Sequence, residues 1–174
     1  MVFLEENDLV IRPMAAEDAG AFHEAFRRQG WNKPAEQFQE YNRQQQEGLR
    51  QVIVAEISGE AAGYVTLLPE PTCGPYASEG IPVISDFNVL IHHRRQGVGS
   101  KLMDVAERLA SERAACVILA VGLHSGYGCA QRMYVKRGYV PDGSGVWYRD
   151  RQLEQYAPCC NDDDLVLYLY KKLC

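Results

Sequence analysis

Six residues, Arg94-Arg95-Gln96-Gly97-Val98-Gly99, join a hydrophobic run over 81–91 to an amphipathic run over 97–113, and few folds accommodate such a junction. In the second run Val98, Leu102, Val105 and Leu109 recur at steps of four, three and four, the period of a helix with one apolar face. A strand is therefore expected to pass into a helix through a glycine-rich turn. The first amide N–H groups of a helix lack internal acceptors and concentrate positive potential, so the turn suits an anion, and Gly97 and Gly99 let the backbone come close to it.

Spacing separates the known kinds of phosphate turn. A dinucleotide fingerprint needs G-x-G-x-x-G, whereas the third glycine position is Leu102. A nucleotide-hydrolysing P-loop needs Gly-Lys-Ser/Thr, whereas the order is Gly99-Ser100-Lys101. The pattern that remains is R-x-x-G-x-G.

The flanking sequence predicts mixed secondary structure. Leu9–Pro13 reads as a strand stopped by its proline, followed by a helix with Glu17 and Asp18 in its first turn and Phe22, Ala25 and Phe26 on one face. Pro34 opens a second, polar helix to about Glu47. Gln51–Ile57 and residues 63–68 form an antiparallel strand pair around Ser58-Gly59, and the Pro- and Gly-rich segment 69–80 is a surface loop near a site. Residues 116–123 read as a buried strand, residues 130–137 as a helix closed by Gly138, and residues 164–171 as a last alternating strand. Strand, helix, strand, helix in the middle implies a parallel pair there, flanked by antiparallel strands. No repeat or linker interrupts residues 1–174, so the expectation is a single α/β (α+β) domain.

Composition narrows the function classes. Hydrophobic residues make up 47% of 174 and charged residues 24%, as in an ordinary folded domain. A net charge of -5 argues against a nucleic-acid partner. No apolar stretch reaches the roughly 20 residues of a membrane span, and Glu5 and Glu6 stand where a secretion signal carries basic residues. The expectation is a cytoplasmic protein, with no membrane partner. Its six scattered cysteines are expected to be free thiols, and with Cys159 and Cys160 adjacent no metal site is expected.

The stretch Asp86-Phe-Asn-Val-Leu-Ile-His-His-Arg-Arg-Gln-Gly-Val-Gly99 closely resembles the coenzyme A motif of the GNAT family of N-acetyltransferases. Downstream, Ala130-Gln-Arg-Met-Tyr134-Val-Lys-Arg-Gly138-Tyr139 is similar to that family's second signature, A-x-x-[LMF]-Y-x-K-x-G-[FY]. The resemblance implies the GNAT acyltransferase fold, a mixed, mostly antiparallel sheet with a central parallel pair and flanking helices. It further implies acetyl-CoA as cosubstrate, with no metal.

The same resemblance assigns roles. Main-chain groups of Asn88, Val89 and Leu90 should bind the pantetheine arm as an added strand, one N–H polarising the thioester carbonyl. Arg94, Arg95, Gln96, Gly97, Val98, Gly99 and Ser100 should hold the pyrophosphate. Tyr134 matches the position whose phenol protonates the leaving thiolate, the alternative being a tyrosine packed beside Met133. No base position carries over. Asp86, expected to share a face with Ile84, Asn88 and Leu90, is one candidate and His124 the other; a satisfied polar residue and a loop histidine are the competing readings. His92 and His93 are expected to decorate the turn. Tyr127 departs from the family, which commonly carries Asn there.

The acceptor side is the least readable. Trp31, Phe38, Tyr41, Tyr76, Glu79, Trp147, Tyr148 and Tyr156 lie in segments that border the cleft in this architecture, although packing accounts for most of them. The expected activity is acetylation of a primary amine on a small molecule such as a polyamine, an amino-acid derivative or an aminoglycoside-like compound. A protein amino terminus or lysine is the alternative acceptor, and a non-catalytic acyl-CoA-binding module the alternative class. The aromatic C-terminal half leaves room for a homodimer.

Overall fold

The computed structural model describes residues 1–173. Nine strands form one sheet: β1 (Leu4–Glu6), β2 (Leu9–Pro13), β3 (Gln51–Ile57), β4 (Glu60–Leu68), β5 (Val83–Val89), β6 (Cys116–Gly122), β7 (Val140–Tyr148), β8 (Arg151–Gln152) and β9 (Leu165–Lys172). The helices are α1 (Asp18–Arg28), α2 (Ala35–Gln46), α3 (Val98–Ser111) and α4 (Gly128–Lys136). Strand order is β1-β2-β3-β4-β5-β6-β9-β7-β8. Among the described residues only β5 and β6 pair in parallel, and every other neighbour is antiparallel, as expected for the GNAT fold.

Each face of the sheet buries one apolar layer. On one side Phe22 and Phe26 of α1 and Phe38 of α2 close on Tyr64, with ring centroids 5.3–6.0 Å from the Tyr64 ring. Their burial is nearly complete, and each aromatic ring withdrawn from water contributes on the order of 2–3 kcal/mol. On the other side Leu102, Met103 and Ala106 of α3, with Tyr134 of α4, pack on Ile53, Val65, Leu67 and Leu119.

Three differences from the sequence reading have physical causes. The last strand lies between β6 and β7, and β7, with Pro141, Gly143 and Gly145, is held extended by its pairing with β9. Local pattern does not carry that pairing. The run over 81–91 is shortened to β5, and residues 91–93 turn into a single 3-10 turn. Finally, β5 carries a bulge: Tyr64 faces Asn88 and Thr66 faces Ser85, so Val65 alone opposes both Asp86 and Phe87. Asp86 takes a left-handed backbone, φ 43°. One inserted residue inverts the alternation. Ile84, Phe87 and Val89 therefore pack toward α3, while Leu90 packs toward α1 and α2, so Ile84 does not share a face with Leu90.

Candidate active site

The bulge opens the centre of the sheet. Pairing of β5 with β6 is confined to Val83 with Ile118 and Ile84 with Leu119, whereas β5 stays paired with β4 as far as Val89. Beyond Ile84 the two parallel strands therefore separate. Leu90 donates its N–H to the Ala62 carbonyl, 2.9 Å. By the alternation of an antiparallel ladder the N–H and C=O of Val89 then turn to the open edge. Of the three residues expected to meet the pantetheine, Val89 presents its main chain to the gap, and Leu90 has its N–H committed.

The turn after β5 ends in Gly97, which precedes α3 with φ 84°, a backbone that costs residues with a Cβ about 1–2 kcal/mol. Lys101 N–H donates to the Gly97 carbonyl, closing the first helical turn. Among the described residues no protein acceptor takes the amides of Gly97, Val98, Gly99 or Ser100. Gly99 is pressed on β5: a Cβ there would lie 3.1 Å from Phe87 Cζ. Four free donors at a helix start, with glycine at two of the four positions and the Val98 side chain buried in the core, form a cradle that fits a diphosphate. Arg94 is turned away from it, donating from Nε to the Val89 carbonyl at 3.0 Å with its guanidinium 5.2 Å from the Trp31 ring. Gln96 donates to the His92 carbonyl, 2.8 Å. Arg95 is exposed in the turn.

Tyr134 projects from α4 into the layer below the opening, its ring edge-on to Tyr139 at 5.7 Å. It is 6% exposed, and among the described residues no protein group hydrogen-bonds its hydroxyl. Burial, and after it the neighbouring Tyr127, holds the phenol above its ordinary pKa, so the proton is retained at neutral pH.

Asp86 sits on the opposite face of the opening with five donors. Oδ1 accepts from Lys33 Nζ at 2.7 Å and Asn88 Nδ2 at 2.8 Å. Oδ2 accepts from the hydroxyls of Tyr64 at 2.6 Å and Tyr41 at 3.0 Å and from Gln37 Nε2 at 3.1 Å. A carboxylate offers about four lone-pair positions, so this one is saturated. The Tyr41 phenol is pushed up to about 12 by burial and by Asp86, and that of Tyr64 is raised by the same two causes.

His124 lies just past β6. Its Nδ1 accepts from Gly126 N–H at 3.1 Å, which leaves Nε2 to donate to Asp163 Oδ1 at 3.0 Å, so neither nitrogen has a free lone pair. The Tyr127 hydroxyl donates to the same oxygen, 3.0 Å, and its ring covers Gly122 so closely that a Cβ there would collide with it. Burial and Asp163 push the Tyr127 phenol up to about 12, while the hydrogen bonds from His124 and Tyr127 hold Asp163 below the usual carboxylate range.

Sequence reasoning missed Lys33, Gln37, Tyr64 and Asp163. The first three reach Asp86 from three separate elements, and no local spacing signals that convergence. The aromatics named for the cleft disperse: Phe38 is core, Tyr76 donates to Asp142 at 3.1 Å, Trp147 is edge-on to Tyr168, and Tyr156 is exposed. Trp31 and Tyr41 remain beside the site.

A model of the acetyltransferase (GNAT) family matches residues 16–139. No curated protein matches the chain. Among solved structures, the fold is similar to that of a Salmonella typhimurium acetyltransferase that modifies the N-terminal serine of ribosomal protein L7/L12, at 10% identity over all of both chains and a TM-score of 0.74. It is also similar to the acetyltransferase YncA of Salmonella typhimurium with its cofactor acetyl-CoA, at 17% identity over 97% of this chain and 95% of that one, TM-score 0.68. A third is the spermidine/spermine N-acetyltransferase SpeG of Vibrio cholerae, at 15% identity over 97% and 95%, TM-score 0.67. With the family's model spanning most of the sequence and its fold spanning the sheet, the chain belongs to the GNAT family of acyl-CoA-dependent acetyltransferases.

Proposed function

We propose that the protein transfers an acetyl group from acetyl-CoA to a primary amine of a small molecule by direct attack. The observation that carries this reading is the pairing of four unclaimed amides at residues 97–100 with an opening beside Val89, the right donors for a diphosphate and for an extended arm. Acetyl-CoA supplies an activated thioester. The Val89 N–H is aimed at the open edge, where it can hold developing negative charge on a carbonyl oxygen. Tyr134 is the proton donor to the departing sulfur: its phenol is protonated, buried and, among the described residues, without a hydrogen-bond partner.

For the base the geometry favours Asp86 over His124. Both ring nitrogens of His124 are engaged, Nδ1 as acceptor and Nε2 as donor, and its role is to fix Asp163 and Tyr127 at the end of β6. Asp86 becomes able to take a proton once one of its five donors leaves. An amine-bearing molecule of small section suits the site, because Asp86 is only 18% exposed and hemmed in by Lys33, Gln37 and Tyr41.

Release of free thiol from acetyl-CoA across a panel of amines tests the activity. Tyr134→Phe is expected to bind acetyl-CoA as the parent does and to release thiol about 10²- to 10⁴-fold more slowly with a competent amine. Equal turnover in the two proteins would remove Tyr134 from the chemistry.

A further inference from the structure

The ion pair of Lys33 and Asp86 is built as a binding site that the chain fills with its own side chain. Lys33 stands on the connection between α1 and α2, on neither helix. Its ammonium lies 2.7 Å from Asp86 Oδ1 and 2.8 Å from the Tyr64 hydroxyl, with the ring centroids of Tyr64 and Phe26 at 5.5 and 5.7 Å. Carboxylate, phenol oxygen and two ring faces form a cage for an alkylammonium.

The cage does not need Lys33 to hold its shape. Asp86 keeps Tyr64, Tyr41, Gln37 and Asn88. The connection is fixed by its backbone: His23 Nδ1 donates to the Lys33 carbonyl at 2.8 Å, and Trp31 N–H to the Phe26 carbonyl at 2.9 Å. What Lys33 contributes is charge, because an emptied cage would hold an unpaired, largely buried carboxylate. Its side chain is 19% exposed, so the head has a way out.

We propose that the Lys33 ammonium occupies the subsite of the acceptor's ammonium, and that a linear primary alkylammonium binds on Asp86 and Tyr64 in its place. One cation replaces another, so the exchange conserves charge, and the departing Lys33 exposes Asp86 Oδ1 to the acceptor nitrogen. This rests on Asp86 facing the acceptor, as proposed above.

The test is binding in the absence of acetyl-CoA. Lys33→Ala removes the stem and head and is titrated with n-butylammonium, followed by calorimetry and thermal unfolding. The variant is expected to bind n-butylammonium at least about tenfold more tightly than the parent, as one recovered ion pair in an aromatic cage predicts. Lys33→Met, which refills the stem space without charge, should show no gain, and neither should Lys33→Ala titrated with n-butanol. Equal binding by parent and Lys33→Ala, or a gain that survives in Lys33→Met, overturns the proposal. Should Lys33→Ala not fold alone, the same titration is read as recovery of a cooperative melt, and its failure overturns the proposal equally. A protein that shows the gain but never releases thiol sinks only the proposed activity; an active one without the gain sinks only this inference.

Discussion

Lys33 Nζ lies 2.7 Å from Asp86 Oδ1, across 53 positions of sequence, and the pair ties the connection of α1 and α2 to the bulge in β5. The contact couples the sheet's central irregularity to the segment that joins α1 to α2.

Asp86→Asn leaves the Lys33 ammonium without its anion. Breaking a largely buried pair from one side costs about 3–5 kcal/mol, so a lower denaturation midpoint is expected, with KM for the amine raised more than the dissociation constant for acetyl-CoA. A variant as stable as the parent, with both constants unchanged, would show that the pair supports neither fold nor site.

Gly97→Ala meets no neighbouring atom but must adopt φ 84°. The strain is about 1–2 kcal/mol, and relieving it by rotation would turn the free amides. A lowered melting temperature together with weaker acetyl-CoA binding, read by calorimetry, is the expected outcome. Gly99→Ala instead presses Phe87 at 3.1 Å, so it should distort β5 more than the turn.

Glu107 of α3 is buried, accepting from Arg137 Nε at 2.8 Å and Lys171 Nζ at 2.7 Å. Burial raises its pKa, the bonds from Arg137 and Lys171 lower it, and the net direction is down. A depressed folded-state value means that the contribution is present above the unfolded value of about 4.3 and is lost as pH falls through the lower folded one. Glu107→Gln should therefore cost about 1.5–3 kcal/mol at pH 7. The gap between variant and parent should close as pH falls below about 4. Denaturant melts at pH 7 and pH 3 check this, and a gap unchanged between them would contradict it.

His124→Ala removes a ring whose nitrogens are both engaged. With a competent amine, kcat should fall by less than about threefold, and the pH profile should keep its shape, since the general-base contribution of about 10²–10⁴ lies elsewhere. Loss of an entire limb of that profile would restore His124 as the base.

Much of the molecule is written locally. The helix beginning at Val98 follows from Leu102, Val105 and Leu109, and the turn before it from Gly97, because period and backbone freedom are properties of neighbouring residues. Gly138, with φ 88°, ends the helix that carries Tyr134 for the same reason.

The remaining features depend on contacts between distant parts of the chain. Asp86 carries no local sign of a bulge, β7 none of a strand, and Lys33 none of an ion pair, because each takes its state from a partner far along the chain: Val65, β9 and Asp86. Period and turn chemistry are short-range quantities, so the four helices, the strands with a clear apolar pattern and the glycine turn before Val98 are legible from neighbouring residues. Register, strand order and the contact of Lys33 with Asp86 and Tyr64 are set by long-range pairing and burial, which become defined only when the whole sheet closes.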